Sequence, residues 1–65
     1  MIEVDVTKYS MYELKAMDEW VGENIWNVRP KEPASYLFDS TKEILRVYFT
    51  YEEDELAFRL RFPIK

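Results

Sequence analysis

The sequence predicts an α+β domain: a small antiparallel sheet with two helices packed on one face, in the order β-α-β-β-β-α. Three observations carry that prediction. Apolar residues alternate with a period of two at the N-terminus and again over residues 44–51. A stripe with helical spacing runs through residues 11–25. A capping signal, Ser10-x-x-Glu13, separates the first strand from that helix.

Taken in order, Ile2, Val4 and Val6 alternate with Glu3, Asp5 and Thr7, giving a short strand with one buried face. Ser10 opens a capping box, in which the hydroxyl and the Glu13 carboxylate satisfy orphan backbone donors. Leu14, Met17, Val21 and Ile25 then recur at three- and four-residue steps, and Trp20 widens the stripe. Gly22 weakens the last turn by about 1 kcal/mol relative to alanine. Trp26-Asn27-Val28-Arg29 reads as a short strand that Pro30 ends, and Pro30-Lys31-Glu32-Pro33 as an exposed connector.

Residues 35–38 and 44–51 read as strands joined by the polar turn Asp39-Ser40-Thr41-Lys42-Glu43, which makes a hairpin. In the longer strand Leu45, Val47, Phe49 and Tyr51 share one face; Ile44, Arg46, Tyr48 and Thr50 share the other. Residues 56–64 alternate like a strand. Against that, Thr50-x-x-Glu53 is a second capping box, and acids at 52–55 with Arg59 and Arg61 downstream match a helix dipole. A helix over about 52–61, ended by Pro63, is the favoured reading.

The 65 residues form one domain, 1–65, and a chain of this length buries only about 60% of the surface its unfolded form exposes. It has no cysteine for a disulfide and no histidine to complete a zinc site. Two Trp, five Tyr and four Phe must supply much of the core. Trp20 and Trp26 are read as core residues. Self-association into a homodimer would add buried area.

The same absences bear on chemistry. Without histidine or cysteine the commonest general acids, bases and nucleophiles are missing, and one glycine cannot build a phosphate loop. The run Glu52-Glu53-Asp54-Glu55 lacks the alternation of a calcium loop and reads as a helix N-terminal charge run. No catalytic, metal or cofactor residues are therefore assigned, and no enzymatic activity. A net charge of −4 argues against a nucleic-acid footprint, and no apolar run is long enough for a membrane span. A cytoplasmic protein is expected.

The best functional constellation is aromatic. Tyr36, Tyr48 and Arg46 are expected together on the open sheet face as contacts for a protein partner. Tyr12 and Glu13, at the start of the first helix, are further candidates. Met and aromatic side chains suit adaptable protein contacts. The same platform would serve a homo-oligomer or, against the charge balance, single-stranded nucleic acid.

Two stretches, Trp20-Val21-Gly22-Glu23-Asn24 and Asp54-x-x-x-Phe58-Arg59-Leu60-Arg61-Phe62, resemble small uncharacterised accessory proteins of tailed bacteriophages. Those often close on Asp-Ala-x-x-Phe-Lys-Leu-Arg-Trp or a relative; here Glu55 replaces the alanine and Phe62 the final aromatic. The resemblance implies a phage origin and a short accessory protein that binds host machinery, and it brings no functional residues with it. A modulator or inhibitor of a host enzyme or defence protein, acting by occlusion, is the expectation.

Overall fold

In the computed structural model, which describes residues 1–65, β3 (Ile44–Phe49) is the central strand of a three-stranded sheet. β1 (Ile2–Asp5) and β2 (Ala34–Asp39) flank it, both antiparallel. The registers pair Ile2 and Tyr36 with Val47, and Val4 and Phe38 with Leu45. Since facing residues share a side, Ile2, Val4, Leu45, Val47 and Phe49 line one face. Leu45, Val47 and Phe49 share it as predicted, but β3 ends at Phe49, so Tyr51, expected on the same face, lies beyond the strand.

α1 (Met11–Val21) starts at the predicted capping box: the Glu13 amide donates to Ser10 Oγ at 3.1 Å and the Ser10 amide donates to Glu13 Oε1 at 2.9 Å. The helix then runs into a π-helical turn, Gly22–Trp26, in which the Asn27 amide donates to the Gly22 carbonyl at 3.1 Å. This widened turn carries the apolar stripe far enough to bury Ile25 beside Met17 and Val21. α2 (Glu52–Arg61) is the helix favoured by the acidic start and basic end. Its one fully buried aromatic, Phe58, completes a core of eight hydrophobic residues between the two helices and a single sheet face. The α+β class, the antiparallel sheet and the two helices on one face are thus those predicted.

Four local expectations change. Trp26-Asn27-Val28-Arg29 is not a strand: the π turn takes Trp26, and the Arg29 amide donates to the Ile25 carbonyl at 3.0 Å. The first strand stops at Asp5, and Val6–Lys8 form a 3-10 turn held by Asp5 Oδ1, which accepts from the Thr7 amide at 3.0 Å. Pro30, Lys31 and Glu32 are exposed as expected, whereas Pro33 is buried. Thr50 does not cap α2; its hydroxyl donates to the Glu32 carbonyl at 2.9 Å, and Tyr51 holds the N-cap position without a side-chain bond.

One ion pair joins the irregular segment to the fold. Arg29 reaches across to Asp54 in the first turn of α2, and its guanidinium lies 4.2 Å from the centre of the Tyr51 ring. Asp54 is buried, and no buried side-chain polar atom lacks a hydrogen-bond partner. No helix is long and apolar enough to cross a membrane.

Candidate interaction surface

The hairpin register decides where the predicted contact residues lie. A connection of residues 40–43 closes the Asp39–Ile44 pair, with Glu43 at φ 55 in the left-handed region. Asp39 Oδ1 steadies the turn by accepting from the amides of Thr41 at 3.0 Å and Lys42 at 3.2 Å. Counting back from that pair sets Tyr36 opposite Val47, on the helix-covered face. The expected trio therefore splits. Arg46 and Tyr48 share the open face; Tyr36 does not.

On the open face, Arg46 is not a free cation. Its Nε donates to Glu3 Oε2 at 3.1 Å and its Nη1 lies 3.7 Å from Asp39 Oδ2, so acids from both neighbouring strands neutralise it. Tyr48 stands beside it, opposite Ser35. A positively charged stacking platform of the kind used for single-stranded nucleic acid is not what this arrangement offers.

Tyr36 belongs to a different surface. Its hydroxyl donates to Asp18 Oδ1 of α1 at 3.2 Å. Burial of the ring edge, and then the Asp18 charge, push its phenol well above the usual tyrosine range. Beneath the ring lies a cavity of about 200 Å³ lined by Val4, Leu14, Met17, Asp18, Tyr36, Leu45, Val47 and Phe58. It lies between α1, α2 and all three strands of the sheet. Next to Tyr36, Leu37 projects to the open face and Phe38 to the helix side. Tyr36, Leu37 and Phe38 remain 45%, 54% and 53% exposed.

Tyr36, Leu37 and Phe38 are three consecutive exposed large hydrophobic residues on one edge strand. The sequence places Leu37 and Phe38 in a strand but marks neither as a contact. What singles them out is that β2 is an edge, a fact of strand order to which local sequence is blind.

Tyr12 is 87% exposed and Met11 is nearly as open, on the first turn of α1. Leu14, one turn on, connects that patch to the cavity under Tyr36. Glu13 is engaged rather than free: besides the cap, it accepts from Lys65 Nζ at 2.8 Å. The Lys65 bond, followed by the Ser10 amide, holds its carboxyl below the ordinary value of 4.5. Trp20 packs edge-on against Phe58 and Phe62 at 6.0 Å, as a core residue should. Trp26, also read as core, is instead 46% exposed, because the π turn rotates it to the surface beside Ala34 and Tyr36.

No group of three or more acidic residues is arranged to hold a metal ion. The perturbed carboxylates owe their shifts to local bonds: Asp5 to Thr7 in its turn, and Glu13 first to Lys65 and then to the Ser10 cap. No known protein family, curated protein or solved structure matches the chain.

Proposed function

We propose that this chain is a non-enzymatic protein-binding module whose contact surface is the edge strand β2, extended by the apolar first turn of α1. The observation that carries the reading is the exposure of Tyr36, Leu37 and Phe38 in succession on a strand with an unpaired edge. Strand edges of this kind supply backbone hydrogen bonds for affinity, and alternate side chains supply specificity. Tyr12 and Met11 add adaptable aromatic and thioether contacts on the same side. Partner binding would act by occlusion of the partner's surface, in the cytoplasm. The resemblance of Trp20–Asn24 and Asp54–Phe62 to short phage accessory proteins would fit a binder.

The open face contributes less in this reading, because Arg46 is already paired with Glu3 and Asp39. Lack of histidine and cysteine supports a non-enzymatic role.

Affinity capture with the wild-type chain and a Phe38→Lys variant tests the proposal. Phe38 is surface-exposed, so the variant should keep its circular dichroism spectrum. The wild type should retain a stoichiometric protein that the variant loses. Equal retention by both chains, or none by either, would overturn the assignment of the surface.

A further inference from the structure

We infer that β2 pairs antiparallel with β2 of a second copy of this chain about a two-fold axis at Leu37, joining two three-stranded sheets into one of six strands. This rests on the reading of β2 as a protein-contact edge and names its occupant.

The two edges of the sheet are built differently. β1 has four residues, two of them Glu3 and Asp5, and short charged strands resist pairing with other chains. β2 has six residues, Ala34-Ser35-Tyr36-Leu37-Phe38-Asp39, with no lysine or proline, and its unbroken register against β3 leaves no bulge. Its single charge stands at the end.

A two-fold interface must be self-complementary. With the axis normal to the sheet and passing at Leu37, each Leu37 faces the other. Each Tyr36 then faces Phe38 of the second copy, and each Ser35 faces an Asp39. The three exposed apolar positions of the strand are thereby matched only with one another. The two Asp39 carboxylates stay at opposite ends, each beside a serine hydroxyl. Centring the axis on Tyr36 instead would set Ala34 against Phe38 and Ser35 against Leu37, and would bring in Trp26, which flanks the Ala34–Tyr36 end.

On the helix side the pairing makes a floor of four rings, with the two α1 helices standing at its margins. Half-exposed side chains of this size contribute roughly 100 Å² each. Three per chain plus the backbone ladder fall short of the roughly 800 Å² per partner of a standard interface. The dimer is accordingly concentration-dependent, forming over the micromolar to millimolar range.

The chain has no cysteine, so single cysteines report the register directly. Opposed Cα atoms in an antiparallel pair lie about 4.5–5.5 Å apart, within disulfide reach. Two Ser35 positions would be on the order of 13 Å apart, beyond it. Under mild oxidation Leu37→Cys should form covalent dimer at least about tenfold faster than Ser35→Cys. An equal mixture of Ser35→Cys and Asp39→Cys chains should cross-link to each other. Sedimentation of the wild type should pass from monomer to dimer as concentration rises, and Phe38→Lys should stay monomeric and folded.

A wild-type monomer at about 1 mM, or equal cross-linking by Ser35→Cys and Leu37→Cys, overturns the inference. If that monomer still retains another protein through Phe38, the second copy is excluded while β2 stands as a contact edge. If it retains none, both readings fall.

Discussion

Arg29 grips both oxygens of Asp54, donating from Nε to Oδ2 at 3.1 Å and from Nη2 to Oδ1 at 2.9 Å, and the same Nη2 reaches Glu53 Oε1 at 2.8 Å. The fork ties residues 27–33, which have no regular structure, to the N-terminus of α2. It also holds the guanidinium charged, first through Asp54 and then Glu53, with its pKa raised above the usual arginine range. Bidentate pairs of this geometry are the strong class of charged hydrogen bond.

Asp54→Asn should therefore destabilise the fold by about 2–3 kcal/mol, since it leaves Arg29 with half a fork beside a buried amide. Urea denaturation followed by tryptophan fluorescence measures this. A loss no greater than that of Glu53→Gln, whose carboxylate is exposed, would remove the pair from its anchoring role.

Phe58 carries the core. It touches Trp20 edge-on and has Phe49 and Phe62 at ring separations of 5.5 and 5.2 Å. Phe58→Ala should cost about 3–5 kcal/mol, comparable with the whole stability of so small a domain. The variant should show no cooperative thermal transition, while Phe58→Leu should retain one at reduced temperature.

Gly22 offers the opposite effect. It adopts φ −58 and ψ −47, ordinary helical angles, and a Cβ there would meet nothing within 4 Å. Gly22→Ala should stabilise by about 0.5–1 kcal/mol, by reducing the freedom of the unfolded chain and favouring helix. A lowered urea midpoint would mean that the π turn needs glycine for a reason other than space.

Acid should weaken the fold in a defined window. Glu13 titrates below its ordinary 4.5, through Lys65 and then Ser10, and Asp5 below its ordinary 3.8, chiefly through Thr7. Their contribution is complete above those unfolded values and is lost as pH falls through the lower folded ones, because the unfolded chain then binds more protons. Urea midpoints should decline from about pH 5 downward, and less steeply in Glu13→Gln. Parallel declines in the two proteins would detach Glu13 from the effect. Tyr36 acts at the other extreme: its raised pKa makes its contribution complete below the usual tyrosine value and lost as pH rises through the higher folded one.

Local signals were legible wherever local physics decided the outcome. The Ser10–Glu13 box, the Met17–Val21–Ile25 stripe and the buried face of β3 all follow from spacing. Residues 56–64 were a closer contest, because Leu56, Phe58, Leu60 and Phe62 fit both periods. As a helix the segment buries Phe58 and partly Phe62, and turns Leu56 and Leu60 to solvent. The dipole match decided for helix.

Two errors share a cause in the backbone. A π turn is invisible to a 3.6-residue stripe, so the sequence points Trp26 to the core and the next three residues to a strand. The hairpin turn contains no glycine, and Glu43 takes the left-handed position usually marked by one. Without that mark the sequence does not set the register, and it suggests the open face for Tyr36. The contact surface shifted with it, from the open face to the β2 edge.

The placement of β1 sets the order in which the fold can assemble. The β2–β3 hairpin is local and forms on a microsecond scale once both strands exist. β1 pairs only with β3, Ile2 against Val47, across most of the chain. At roughly 5–20 residues per second of translation, β1 waits seconds for β3. Meanwhile α1 can form but has no sheet to rest on. Closure of the core therefore depends on a pairing far more distant in sequence than the hairpin's own.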